Sequence, residues 1–334
     1  LTPSASPIAV LGAGSWGTAL ALVIGRNGHQ VRLWDHWAEH VADLARDQEN
    51  RRFLPGFPLP DNIKPMADLA QAIDGVGEIL VVVPSHGFAA LLRALPPLSN
   101  EIGLAWATKG LEPGTNRLLH EVALETLGER DLAVVSGPSF AGEVARGLPT
   151  AVTVASPKLH QARRVAAYLH GERFRAYTSD DLIGVQVGGS AKNVLAIATG
   201  IADGLGFGAN TRAALITRGL AELTRLGTAL GGRLETFMGL AGLGDLVLTC
   251  TDDQSRNRRL GLALARGVSV QQARRDIGQE VEGVITARSV HGIAQRLGVE
   301  MPIGEQVYRV LYEGATPEEA TRSLLARESK SELD

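Results

Sequence analysis

Ile8-Ala9-Val10-Leu11-Gly12-Ala13-Gly14-Ser15-Trp16-Gly17-Thr18-Ala19-Leu20-Ala21 is the stretch on which the fold turns. Its first four residues are apolar, β-branched at Ile8 and Val10, and read as a buried strand that stops at Gly12. From Ser15 to Asn27 the residues favour helix, and Gly28 stands where a helix ends. The turn between them is G-x-G-x-x-G. In such a turn Gly12 permits the tight bend, Gly14 lets backbone approach a pyrophosphate, and Gly17 lets the helix pack close to the strand. The helix N-terminus then offers free N–H groups to the phosphates. Glycines so spaced often serve only as a turn. Here a second strand, Gln30 to Trp34, ends in Asp35, at the distance from which an acid reaches a ribose 2′-hydroxyl. That context predicts a dinucleotide site.

Working outward, the alternation continues. His36 to Arg46 reads as a helix, followed by the proline-rich loop Leu54-Pro55-Gly56-Phe57-Pro58-Leu59-Pro60. Strands are expected at Glu78–Val83, Gly103–Ala107, Leu132–Val135, Thr150–Ala155 and Phe174–Tyr177, with helices Phe88–Leu95 and Asn116–Leu127 between them. Apolar strands alternating with helices predict a Rossmann-type, doubly wound parallel sheet. Three strands are followed by small or polar residues: Pro84-Ser85-His86, Thr108-Lys109-Gly110 and Ser136-Gly137-Pro138-Ser139. Ligands of open α/β sheets bind beyond the carboxyl ends of strands. Turn formation alone accounts for Pro84 and Gly110, but not for Lys109. From Ser179 onward helices take over, at Asp181–Ile201, Thr211–Leu230, Asn257–Ala265, Thr286–Leu297, Gly304–Leu311 and Pro317–Ala326. The reading is therefore α/β: a dinucleotide-binding domain over residues 1–180, then an all-helical domain over 181–334.

Composition narrows the function. The 334 residues suffice for two sizeable cores. Net charge is −3 with both signs well mixed, and aromatics are only 4%, so neither a basic face nor a base-stacking platform for nucleic acid is expected. The single cysteine, Cys250, excludes an internal disulfide and fits a reducing compartment. Leu1-Thr2-Pro3-Ser4 lacks signal character, and no apolar run approaches a membrane span. A cytoplasmic protein without membrane insertion is expected.

Lys192 is the most pointed residue. It lies in Val187-Gly188-Gly189-Ser190-Ala191-Lys192-Asn193-Val194-Leu195, where small and apolar residues predict a buried helix. A buried ammonium is costly unless paired. A lysine snorkelling to water is the plain alternative; the functional one is a proton donor and acceptor facing a cleft. Asp245, a lone acid in Gly242-Leu243-Gly244-Asp245-Leu246, is a natural partner or else a turn aspartate. Ser255-Arg256-Asn257-Arg258-Arg259 opens a helix, so backbone N–H groups and guanidinium donors coincide as an oxyanion requires, unless the cluster is merely solvated. His36-Trp37-Ala38-Glu39-His40 matches a zinc pattern on a helix. It follows the second strand of a dinucleotide fold, however, and no metal is expected there.

With these residues in place, the chain resembles the bacterial NAD(P)-dependent glycerol-3-phosphate dehydrogenases over essentially its whole length. The resemblance is carried by Gly12–Ala21, Val83–His86, Ala107–Glu112, Ser136–Ala141, Lys192–Gly206, Ala213–Glu222, Thr236–Arg259 and Val281–Gly283. It implies reversible oxidation of sn-glycerol 3-phosphate to dihydroxyacetone phosphate, feeding glycerophospholipid synthesis, by a homodimer. It further implies Lys192 as general acid/base with Lys109 and Asp245 beside it. Implied substrate contacts are Lys109, Gly137, Ser139, Lys192, Asp245, Ser255, Arg256 and Asn257. Implied cofactor contacts, added to the glycine turn, are Ser15, Trp16, His36, Lys109, Ala141, Arg256, Glu282 and Glu280, the last at a position where the family more often has valine. The competing readings are a two-domain dehydrogenase of carboxylate substrates, of the 3-hydroxyacid or 6-phosphogluconate type, and a redox sensor that binds dinucleotide without catalysis. The coenzyme is expected to be NAD or NADP. Asp35, where the family has glycine or a basic residue, predicts a modest preference for NADH, with Arg32 and His36 offsetting part of its charge.

Overall fold

The structure, a computed structural model, describes residues 6–328. Leu1-Thr2-Pro3-Ser4 and the outermost ends of the two expected domains lie outside the described residues. In chain order the first part comprises β1 (Ile8–Leu11), α1 (Ser15–Arg26), β2 (Val31–Trp34), α2 (Ala38–Asp47), β3 (Ile63–Met66), α3 (Leu69–Ile73), β4 (Glu78–Val81) and α4 (Ser85–Ala94). It continues with β5 (Gly103–Trp106), α5 (Leu119–Leu127), β6 (Leu132–Ser136), α6 (Ala141–Arg146), β7 (Thr150–Ala155), α7 (Leu159–Leu169) and β8 (Phe174–Ser179). The strands form one eight-stranded sheet in the order β3-β2-β1-β4-β5-β6-β7-β8. The order reverses between β1 and β4, and it is there that open α/β sheets leave a crevice for ligand.

Side-chain alternation explains why helices cover both faces. Ile8 and Val10 enter a core built with α1 and α7, whereas Ala9 and Leu11 enter the opposite core with α3, α4 and α5. Every strand pair is parallel except β6 with β7, where Val135 lies opposite Val154 in antiparallel register. The sheet is thus mostly parallel. β3 is absent from the sequence reading because Pro65 interrupts it; at the sheet edge the missing N–H is tolerated.

The second part is helical: α8 (Leu182–Gly204), α9 (Ala209–Ala229), α10 (Leu234–Phe237), a π-helical turn at Leu240–Gly244, α11 (Asp245–Thr251), α12 (Arg256–Ala265), α13 (Val270–Ile277), α14 (Glu282–Leu297), α15 (Pro302–Tyr312) and α16 (Pro317–Leu325). Twenty of the 23 residues of α8 are buried, as expected of a helix apolar on all sides. Its glycines admit the neighbouring backbones. A Cβ added at Gly188 would lie 2.4 Å from the Ala241 carbonyl, and one at Gly200 2.2 Å from that of Arg258.

Two expectations are corrected here. α2 begins at Ala38, so His36 precedes the helix and its side chain is 82% exposed, while His40 is buried with Nε2 3.3 Å from the Ala13 carbonyl. The two histidines share no helix face, and the zinc pattern is accidental. Secondly, Leu234–Thr251 is long and apolar enough to cross a membrane by length and composition, contrary to the expectation of no such run. In the fold it is split among α10, the π-helical turn and α11, and it carries buried Asp245.

Gly261 of α12 meets α8 in the same way: a Cβ there would sit 2.2 Å from the Ile197 carbonyl. Gly261→Ala is expected to lower stability by about 1–3 kcal/mol through overpacking. Urea unfolding measures this, and an unchanged midpoint would show that α8 and α12 separate without cost.

Candidate active site

The glycine turn has the geometry its sequence suggests. Gly12 has φ +117°, and a Cβ on it would sit 2.6 Å from the Val82 carbonyl, while one on Gly17 would sit 1.8 Å from the Gly12 carbonyl. A Cβ on Gly14 would meet nothing within 4 Å, so the turn is open on that side. The N-terminus of α1 has no side-chain cap and no acid in its first turn, which leaves the N–H groups of Ser15 and Trp16 for an anion. The Trp16 indole Nε1 is buried without a partner among the described residues. An open cradle, free N–H groups and an unpartnered donor together fit a dinucleotide.

Asp35 behaves differently from the expectation. One carboxylate oxygen accepts the Ala13 N–H at 2.9 Å and the other the Trp37 N–H at 3.1 Å, with His36 Nδ1 also 3.1 Å away. Only 8% of Asp35 is exposed. The carboxylate expected against the ribose faces the glycine turn instead, which removes the stated cause of a tilt toward NADH. Arg32, expected to offset its charge, donates to the Gln71 carbonyl at 2.7 Å and takes no part.

At the strand ends the groups converge. Lys109, after β5, donates to the Gly137 carbonyl at 3.1 Å and to Asp245 Oδ2 at 2.6 Å. The Ser139 hydroxyl donates to the same Gly137 carbonyl at 3.0 Å. Gly137 has φ +148°, and a Cβ there would sit 2.9 Å from Val152 Cα, so only glycine turns the chain at this point. From the helical side, Lys192 donates to Asp245 Oδ1 and, at 2.8 Å, to Thr249 Oγ1. Lys192 is 5% exposed and Asp245 1%. Burial pushes the Lys192 ammonium down to about 7; Asp245 opposes the shift and Lys109 adds to it. An amine that titrates near neutrality can both give and take a proton.

The third group of residues frames the pocket. Ser255 caps α12 by accepting the Arg258 N–H at 3.2 Å. Asn257 donates to Asn193 Oδ1 and accepts the Gly283 N–H, each at 2.9 Å. The first-turn N–H groups of Arg256 and Asn257 have no intrahelical acceptor. Arg256 is half-buried and forms no hydrogen bond or ion pair with the described residues; burial lowers its pKa, with Glu282 opposing. Arg258, by contrast, is held by Asp203 and by Asp253 at 2.9 Å, which makes it structural. Glu282 accepts the Ser85 N–H at 3.2 Å and its hydroxyl at 2.8 Å, joining α14 to α4, and burial pushes its carboxyl up. Ala141 opens α6, and Glu280 lies 3.4 Å from Arg274 in an ion pair.

Lys109, Gly137, Ser139, Lys192 and Asp245 thus meet at one point, with Arg256 and Glu282 on the adjoining helices. His36 and Glu280 stand apart from that point. Thr249 escaped the sequence reading, although it lies one helical turn beyond Asp245 and its hydroxyl also donates to the Asp245 carbonyl at 2.6 Å. Asn50 escaped as well, and nothing in its sequence neighbourhood announces a role.

A glycine turn at the switch point of a doubly wound sheet, together with a buried lysine–aspartate pair in a helical domain, is the plan of a two-domain dinucleotide-dependent dehydrogenase. Residues 7–162 match the family described as NAD-dependent glycerol-3-phosphate dehydrogenase N-terminus, and residues 181–322 the corresponding C-terminus. The chain is 57% identical to glycerol-3-phosphate dehydrogenase [NAD(P)+] of Shewanella sediminis, over 97% of each chain. It is 59% identical to that of Thioalkalivibrio sulfidiphilus, over 99% of this chain and 100% of the other. The crystal structure of glycerol-3-phosphate dehydrogenase from Coxiella burnetii superposes with a TM-score of 0.94 at 52% identity, covering 96% of this chain and 99% of that one. The chain belongs to the NAD-dependent glycerol-3-phosphate dehydrogenase family.

Asp245→Asn removes the one carboxylate shared by two ammonium groups. It is expected to cost about 3–5 kcal/mol of stability, the usual result of breaking a buried pair from one side. Denaturant unfolding at neutral pH checks it, and a loss below about 1 kcal/mol would mean that Lys192 is already neutral in the wild type.

Proposed function

We propose that the residues around Asp245 carry out the family reaction, the reversible NAD(P)-dependent interconversion of sn-glycerol 3-phosphate and dihydroxyacetone phosphate. The observation that carries the proposal is the pairing of Lys109 and Lys192 on Asp245 where the strand ends meet the helical domain. The coenzyme, NAD or NADP, supplies or takes up the hydride when bound. The glycine turn, Ser15, Trp16, Ala141 and Glu282 would hold it, with Lys109 and Arg256 reaching it from the substrate side. Lys192 as ammonium donates a proton to the substrate oxygen at C2 during reduction, and as neutral amine accepts one during oxidation. Asp245 fixes the amine, and Thr249 limits its rotation. Arg256 and the N-terminus of α12 take the substrate phosphate, so that binding energy remote from C2 holds C2 in place. Ser255 and Asn257 serve through backbone N–H groups and through the cap and bridge described above. This cationic frame suits a phosphate ester.

The division at residue 180 rests on two features: β8 ends at Ser179, and Asp181 caps α8 by accepting the Gly184 N–H at 2.8 Å. A homodimer, a cytoplasmic location and a supply role in glycerophospholipid synthesis belong to the same proposal and rest on the family resemblance. Sedimentation of the purified chain tests the first of these.

Lys192→Met keeps the apolar stem and removes the proton. Turnover is expected to fall by about two to four orders of magnitude while coenzyme binding persists. In the wild type, kcat/KM for reduction should decline as pH rises through about 7, because the ammonium is lost, and kcat/KM for oxidation should rise over the same interval. Near-normal turnover in the variant, or parallel pH profiles in the two directions, would remove Lys192 from the proton step.

Arg256→Ala is expected to act chiefly on the KM for the phosphorylated substrate, at a cost of about 2–5 kcal/mol in binding. Steady-state kinetics with dihydroxyacetone phosphate measures it. An unchanged KM would move the phosphate to Arg259, since Arg258 is occupied.

A further inference from the structure

We propose that Arg52 receives the adenosine 2′-phosphate of NADP, and that Asp35 is a positioning residue of the glycine turn, not a selector against that phosphate. The inference rests on the reading of the glycine turn as the dinucleotide site.

Asp35 and the turn that carries Arg52 are both fastened to Ala13, one at its N–H and the other at its carbonyl. Asp35, at the end of β2, accepts the Ala13 N–H. Asn50, fully buried, donates to the Ala13 carbonyl at 2.8 Å and to Thr18 Oγ1 at 2.7 Å, while its own carbonyl accepts the Phe53 N–H at 3.1 Å. The turn that carries Arg52 is therefore fastened to the glycine turn itself. Trp37, whose N–H donates to Asp35, lies beneath Arg52: the guanidinium carbon is 4.0 Å from the indole centre. Both residues thus stand at the carboxyl end of β2, where the adenosine ribose of a dinucleotide lies in this fold.

Charge then distinguishes Arg52 from its neighbours. Arg46 pairs with Asp43 and Asp47, each at 2.8 Å, and Arg51 with Asp47 at 3.4 Å. Arg52 is exposed and pairs with no carboxylate among the described residues. Stacking on Trp37 covers one face of the guanidinium but leaves its edge donors free, the arrangement in which arginine grips a phosphate. The acid that would repel a 2′-phosphate is turned inward onto two backbone N–H groups. On this proposal the favoured coenzyme is NADP, opposite to the tilt read from the sequence.

The test is calorimetric titration of the full chain with adenosine 2′,5′-bisphosphate and with 5′-AMP, which share everything except the 2′-phosphate. Wild-type protein should bind the bisphosphate more tightly. Arg52→Gln should weaken the bisphosphate about ten- to a hundredfold and leave 5′-AMP within about twofold, with Arg52→Lys recovering part of the loss. Asp35→Asn should show no selective gain for the bisphosphate. Equal losses of both probes in Arg52→Gln would overturn the proposal and make Arg52 a stacking platform for adenine. Unchanged binding of both, or a selective gain in Asp35→Asn, would overturn it too. If the wild type bound neither probe, the dinucleotide reading would fall first and this inference with it.

Discussion

The carboxylate of Asp245 joins the two halves of the site. One oxygen takes the ammonium that extends from the end of β5, and the other takes the ammonium that extends from the middle of α8. Neither lysine has another carboxylate among the described residues, and Lys192 is enclosed by a helix that is buried almost throughout. A charge in such surroundings is tolerated only when paired. The sheet domain and the helical domain are thus joined by the same carboxylate that keeps the Lys192 ammonium paired against the burial that pushes its pKa down.

That arrangement needs a deep helix that other backbones can approach closely. The glycines of α8 supply this, and the π-helical turn before α11 places Asp245 against the strand ends. Thr249, one turn later, closes the arrangement by donating to the Asp245 carbonyl and accepting from Lys192. The glycine turn follows the same logic. Its open side is left for a ligand, while the backbone of Ala13 is held from behind by Asp35 and Asn50. In both places buried side chains fix the neighbouring backbone or amine, which is the usual condition for precise positioning.

Much of this could be read from residue order. The strand–glycine–helix opening, the clusters after three strands and a lysine in an apolar helix each have a local physical cause visible in a single stretch. Failures occur where the cause is distant. Pro65 hides β3 because an edge position excuses a missing donor only once the sheet exists. β7, antiparallel to β6, is as rich in apolar and β-branched residues as the parallel strands, so its direction has no local mark. His36 and Trp37 suit a helix by composition, yet Asp35 captures the Trp37 N–H and delays α2 to Ala38. Asp35 lies at the end of β2 as its sequence position predicts, but the Ala13 N–H that it accepts is more than twenty residues away and leaves no mark in the local sequence.

The framing residues also connect functions that the sequence keeps apart. Asn193 follows Lys192 on α8 and accepts from Asn257 at the N-terminus of the helix proposed to take the phosphate. Asn257 in turn accepts from Gly283, and Glu282, next to Gly283, reaches across to Ser85 on α4. A Cβ on Gly283 would sit 2.6 Å from Asn257 Oδ1, so this contact leaves no slack. The N-terminus of α12, the residue next to Lys192 on α8 and the start of α4 in the sheet domain are therefore joined by one run of hydrogen bonds. On the proposed mechanism, a shift at the N-terminus of α12 would strain α8 and with it the position of Lys192.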